Sequence, residues 1–252
     1  MQDAQDNGIG PRDLLPHGGP GVNVLKHAKS QLSAVQDKAM SFPQRLLEGY
    51  KAFRAGRLQT EQNRYRELAE TGQAPQVMVI GCCDSRVSPE VIFDARPGEL
   101  FVVRNVANLV PPYSPDGAYH GVSAALEFAV AALKVKHIVV LGHAHCGGVK
   151  AFAEDAEPLS SGDFIGKWMS LMAPVTEKVG ARGALSRSEY LERMEQASIA
   201  NSLKNLMTFP QLRNLIERGE IQLHGAYFGV AAGQLSVRDP KTGEFSAVGS
   251  GV

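Results

Sequence analysis

The sequence predicts an α/β fold, with a mostly parallel central β-sheet flanked by helices, a C-terminal helical region and an antiparallel edge strand. Three observations predict it. Short, β-branched apolar runs at 76–80, 100–103 and 137–141 alternate with helical patterns, the order of a parallel sheet covered on both faces. From 163 to 218 the chain keeps helical character in several pieces. Two last strands, 222–227 and 234–237, are separated by a glycine-containing turn.

In chain order, residues 1–22 are rich in Gly, Pro, Asp and Asn and have no apolar period, so residues 1–40 are expected to form a partly mobile arm. The remainder, 41–252, reads as one domain. Ser41 is placed to cap a helix, Pro43 fits its first turn, and Leu46, Leu47, Tyr50 and Phe53 recur on one face. A second helix is expected from Thr60 toward Ala69, stopping near Gly72. Between 121 and 133, Val122, Ala125, Leu126, Ala129, Val130 and Leu133 follow helical spacing. The strand 137–141 is continuously apolar and leads through the turn 142–148 into a new helix. Ser188 and Thr208 are candidate caps in the helical region, and Gly219 is a candidate stop.

Composition narrows the function classes. The 26 basic and 26 acidic side chains cancel, which argues against a nucleic-acid or anionic-membrane surface. No apolar run approaches the length of a membrane span. The N-terminus lacks the order of a secretory signal. Three cysteines, two of them adjacent, make a poor disulfide framework, so a cytoplasmic location is expected, with thiols serving chemistry or a metal.

Two turns carry candidate chemistry, and each follows an apolar strand. The first reads Gly81-Cys82-Cys83-Asp84-Ser85-Arg86, the second Gly142-His143-Ala144-His145-Cys146-Gly147-Gly148. Sites in open α/β sheets gather at the carboxyl ends of strands. A thiolate from one turn, with an imidazole and a thiolate from the other, can face one point. Zinc favours that mixture, and three protein ligands leave the fourth tetrahedral position open for chemistry. Asp84 could bind the metal and close the site, or accept a hydrogen bond from a metal-bound hydroxide. Arg86 can decide between these, because a bidentate guanidinium holds a carboxylate away from the ion. Singly, each residue has an ordinary explanation: a buried Cys as a small hydrophobe, an Asp-x-Arg pair as a turn salt bridge. Their joint order is hard to explain as packing.

At these residues the sequence resembles the β-class carbonic anhydrases. Cys82 to Arg86 matches that family's first zinc motif, His143 to Gly148 its second, and the stretches Pro97-Gly98-Glu99 and Arg104-Asn105-Val106-Ala107-Asn108 between them are also similar. The likeness covers roughly 42–237. It implies an α/β fold and a homodimer or homotetramer, with one zinc ion per chain on Cys82, His143 and Cys146 and a catalytic Asp84–Arg86 dyad. Cys83 occupies the variable position between ligand and Asp and is read as non-ligating, and His145 is read as solvent-facing and incidental, with metal ligation or proton shuttling as the alternative. The chain looks closest to the plant-like, open-site branch. Gln73 matches a glutamine that reaches substrate in that branch, across a subunit interface. Gly147 would offer its N–H to substrate oxygen, and Phe101 and Val106 match apolar wall positions. Val79 and Phe228 stand where the allosteric branch has a tryptophan and a tyrosine. Phe128 and Ala132 stand where plant-like relatives carry a tyrosine and a histidine associated with proton transfer.

The activity so implied is reversible hydration of carbon dioxide to bicarbonate and a proton, by attack of a zinc-held hydroxide that the Asp84–Arg86 dyad orients. Expected partners are carbon dioxide, bicarbonate and copies of the same chain, with no nucleic acid and no membrane. Competing readings are hydrolysis of a related small molecule such as carbon disulfide, a zinc-stabilised scaffold or bicarbonate sensor, and thiol redox chemistry at Cys82-Cys83. The last is disfavoured because adjacent cysteines rarely close an unstrained disulfide.

Overall fold

The computed structural model describes residues 42–249, so the expected arm 1–40 and the Ser41 cap lie outside the described residues. The described residues divide into two units, with the boundary between Gln62 and Asn63. In the first, helix α1 (Gln44–Ala55) forms as expected but starts directly after Pro43, which precedes the first turn and does not lie in it. Helix α2 (Arg57–Thr71) is longer than expected at both ends and begins one residue after Gly56. Gly72 follows it with φ of 84°, a left-handed conformation that stops a helix.

The second unit holds a six-stranded sheet. Its strands are β1 (Val77–Cys82), β2 (Leu100–Asn105), β3 (His137–His143), β4 (Gln222–Gly229), β5 (Gln234–Arg238) and β6 (Phe245–Ala247), in the order β2-β1-β3-β4-β5-β6. The first four are mutually parallel, and β5 and β6 add antiparallel to β4. This is the predicted α/β architecture, with one short strand, β6, beyond the prediction. From β1 the chain crosses to β2 on one side, then returns to lay β3 on the other. The carboxyl ends of β1 and β3 therefore flank a topological switch point, where open sheets form their crevices.

Both faces of the central strands are apolar, as burial on two sides requires. On one face Met78, Ile80, Ile138 and Val140 pack with α4 (Gly121–Glu127), α8 (Arg187–Leu206) and α9 (Pro210–Glu217). On the other, Val79, Leu141 and Ala226 meet Val102, Val139, Phe228 and Ile92, the last from the short helix α3 (Pro89–Ile92). Three further helices, α5 (Gly147–Ala153), α6 (Phe164–Met169) and α7 (Ala173–Val179), complete the unit. Among the described residues no helix is long and apolar enough to cross a membrane.

Local chemistry departs from the sequence reading in three places. The predicted helix 121–133 widens to π spacing over Phe128–Leu133 and ends on Lys134, whose φ is 57°. Ser186, not Ser188, caps α8. Its hydroxyl accepts from the Glu189 N–H while Glu189 accepts from the Ser186 N–H, a reciprocal pair that satisfies two helix-end donors. Thr208 does not cap α9, because Pro210 occupies the first turn and Phe209 precedes it. The Thr208 hydroxyl instead accepts from the Tyr113 N–H at 2.8 Å and donates to the Asn205 carbonyl. Gly219, with φ of 73°, follows α9 as predicted.

Candidate metal centre

β1 and β3 run two residues past their predicted ends and finish on Cys82 and His143. Cys146 is the residue that precedes α5. The ligand-capable atoms of these three residues all lie within 4.8 Å of one another, and all three residues are buried. His143 Nδ1 donates to the Ala144 carbonyl at 2.9 Å, which leaves the lone pair on Nε2. That nitrogen is buried and has no hydrogen-bond partner. An orphaned polar atom of this kind costs about 1–3 kcal/mol unless something engages it. Two thiols and an imidazole nitrogen around one point are the donor set of a zinc site, so the residues present fit a metal ion.

Titration points the same way. Hydrogen bonding from Cys146 holds the Cys82 thiol down at about 4, with the Ala107 N–H adding to it. Cys146 is pushed up, first by its bond to Cys82 and then by burial. For His143, burial works to lower the pKa, but Cys82 outweighs it and the net direction is upward. Protons thus gather around one negative sulfur, and a divalent cation would replace them.

Close approach of backbone builds the pocket. A Cβ on Gly142 would lie 2.7 Å from Ile199 Cδ1, and one on Gly148 would lie 2.8 Å from Val106 Cγ1. Ala107 and Asn108 both have positive φ, 65° and 48°, and this kink turns the Ala107 N–H toward Cys82 Sγ at 3.4 Å.

The first turn is fastened by arginines. Arg86 Nε and its terminal nitrogen reach the two oxygens of Asp84 at 2.9 and 2.7 Å, and the Arg86 N–H adds a third bond at 3.0 Å. This grip holds the Asp84 carboxyl well below the usual carboxylate range. Arg86 also donates to the His145 carbonyl at 3.2 Å, linking the two turns. Arg104, at the end of β2, donates to the Cys82 and Asp84 carbonyls at 2.8 and 2.7 Å. The second turn is fastened from within. Buried Glu195 of α8 accepts from the Cys146 N–H at 2.9 Å and from the Tyr227 hydroxyl at 2.7 Å. Burial raises the Glu195 pKa against these two bonds.

Comparison with known proteins agrees with this geometry. The family described as carbonic anhydrase matches residues 77–235, which span both turns. The chain belongs to the β-carbonic anhydrases. It is 36% identical over 178 residues to β carbonic anhydrase 5, chloroplastic, of Arabidopsis thaliana, covering 70% of this chain and 58% of that protein. The chain thus spans less than two thirds of that plant relative's length. To the carbonic anhydrase of a Synechocystis strain it is 32% identical over 205 residues, covering 81% of this chain and 74% of that protein. The solved β-carbonic anhydrase CcaA superposes with a TM-score of 0.76 at 32% identity, over 83% of this chain and 93% of that one. A tetrameric β-carbonic anhydrase of Sordaria macrospora gives 0.67 at 30% identity, over 80% and 97%.

Within this β-carbonic anhydrase chain, the predicted site residues fall into two groups. Cys82, His143 and Cys146 converge, with Asp84, Arg86, Val106 and Gly147 on the adjoining turns. Gly147 has open space above its Cα, and the Val106 carbonyl accepts from the Trp168 indole at 2.8 Å. Phe101 and Gln73 lie elsewhere. Phe101 pairs with Met78, four residues before Cys82 on β1, or ~13 Å at ~3.3 Å per residue, and its ring faces Phe128 at 5.9 Å. Gln73 is exposed between α2 and β1. The sequence reading missed Arg104, Glu195 and Tyr227. A signal for Glu195 existed: with Ser198, Ile199, Ser202 and Leu206 it falls on one helical stripe, an acid on the buried face.

Proposed function

We propose that this chain is a zinc enzyme of the open-site kind, catalysing reversible hydration of carbon dioxide to bicarbonate and a proton. The observation that carries the open-site reading is the two-point grip of Arg86 on Asp84. A carboxylate engaged at both oxygens is withheld from the metal, so Cys82, His143 and Cys146 would hold zinc with one position free. Zinc there would let a water molecule lose its proton near neutral pH.

The chain's own residues do the rest. Asp84, kept ionised by Arg86, can accept a hydrogen bond but not donate one. It would therefore fix the hydrogen of the attacking oxygen and turn a lone pair toward the substrate. The Gly147 N–H would steady the oxygen on which charge develops. Val106 would supply an apolar wall suited to a nonpolar gas. Gln73 and Phe101, both away from the cluster of their own chain, would serve the site of a neighbouring copy. That division of labour makes the working unit a homo-oligomer, dimer or tetramer. A cytoplasmic location, where thiols stay reduced, is part of this reading.

Stopped-flow carbon dioxide hydration from about pH 6.5 to about 9, with zinc assayed in the same sample, tests the reading. Activity should track zinc content and be present near neutrality. Activity only at the alkaline end would mean that Asp84 closes the site. None at any pH, with zinc bound, would favour a sensor or another substrate.

A further inference from the structure

We propose that His120, held by Asp116, carries protons between the metal centre and solvent. The assignment rests on the carbonic anhydrase reading, because hydration releases a proton that must leave the site. Helix α4 and its π-spaced continuation line the approach but offer only one titratable side chain, Glu127. The residue immediately before them is His120.

His120 lines two cavities. One, of about 800 Å³, is walled by Cys83, Arg104, Val106, Phe164, Trp168 and His120 among others. The three candidate ligands do not line this cavity, but residues next to them in the chain or bonded to them do. Cys83 follows ligand Cys82, Arg104 bonds the Cys82 and Asp84 carbonyls, and Val106 precedes the Ala107 N–H that reaches Cys82 Sγ. The second cavity, of about 430 Å³, is lined by Tyr113 and Glu127 among others and shares His120 and Ser123 with the first. At ~30 Å³ per water, both have room for connected water. Asp116 bonds the ring, and the other titratable and charged groups that line the same two cavities are Tyr113 and Tyr119 from its loop, Glu127 from α4, and Arg104 and Cys83. Of these side-chain types, imidazole is the one suited to exchanging a proton between about pH 5 and 8.

The bond to Asp116 prepares the ring. His120 Nε2 and Asp116 Oδ1 are 2.7 Å apart, and the His120 side chain is 33% exposed. Asp116 is held ionised, first by His120 and then by the Ala118 N–H, so it can only accept. Nε2 therefore carries the hydrogen, and Nδ1 is left with its lone pair. One proton arriving through water is taken up at Nδ1, the carboxylate stabilises the resulting imidazolium, and the same proton leaves to buffer or bulk water. Asp116 acts through His120 and is a positioning residue.

The experiment uses the zinc-loaded full chain. In wild type, imidazole nitrogen NMR should show His120 with its hydrogen on Nε2 when neutral, and D116N should remove that preference. Oxygen-18 exchange then separates carbon dioxide–bicarbonate interconversion from the proton-dependent release of labelled water. H120A should slow water release by roughly tenfold or more, and imidazole buffer should restore it. H120Q, which can still donate to Asp116, should show the same loss, while interconversion in both variants stays within about twofold. Unchanged water release with intact interconversion would overturn the relay alone. So would a loss that follows H145A instead. Absence of interconversion in wild type would overturn the carbonic anhydrase reading, and the relay with it.

Discussion

The two turns that present the metal ligands are fastened by opposite means. The turn after β1 is tied from the solvent side, by an Arg86 whose side chain is 47% exposed. The turn after β3 is tied from inside, by a Glu195 that is 4% exposed. Exposed ion pairs contribute little to stability, whereas a buried carboxylate that loses its partners, or partners that lose it, is costly. The first turn can therefore be altered chemically without loosening the fold. The second cannot.

The largest expected effect removes the comparison altogether. His143→Ala should release the metal from both turns and lower hydration by roughly a thousandfold or more, checked by zinc content and stopped-flow rates together. Asp84→Asn comes next and tests the solvent-side turn. Hydration should fall by about a hundredfold or more, with zinc content and melting temperature near wild type. A variant that loses zinc or melts early would mean that this turn is structural too.

Glu195→Ala tests the interior turn. It leaves the Cys146 N–H and the Tyr227 hydroxyl without their acceptor, and a loss of about 2–4 kcal/mol is expected by denaturant unfolding. The conservative Glu195→Gln sharpens the contrast through pH. Burial raises the Glu195 pKa in the folded state. Its contribution is therefore fully present below the unfolded value, near 4.5, and is lost as pH rises through the folded value. Glu195→Gln should consequently gain on wild type as pH increases from about 4 to about 7, by no more than about 1 kcal/mol. A flat difference across that range would mean that Glu195 is not held as a buried acid.

The same contrast governs how much was legible in the sequence. The solvent-side device lies within six consecutive residues, Gly81 to Arg86, so its parts could be read together. The strands were legible because parallel strands buried on both faces are continuously apolar and end in glycine-bearing turns. The interior device was not legible, since Glu195 serves a backbone N–H 49 residues earlier in the chain. Arg104 likewise acts on carbonyls 22 and 20 residues away. Ser188 is a candidate cap by residue type alone, whereas Ser186 is the cap because its hydroxyl reaches the Glu189 N–H. Strand β6 is three residues long, too short to show a period.

The order of the strands has a further consequence, for the route by which the centre is assembled. Cys82 and His143 end neighbouring strands, yet β2 and α4 are made between them in sequence. The ligands cannot meet until a segment of some sixty residues has been looped out and β1 has found β3 in register. Metal would then act as a seal applied to a nearly finished sheet, not as a seed for it. Refolding should proceed at the same rate with and without zinc, while unfolding should be slower in the loaded protein.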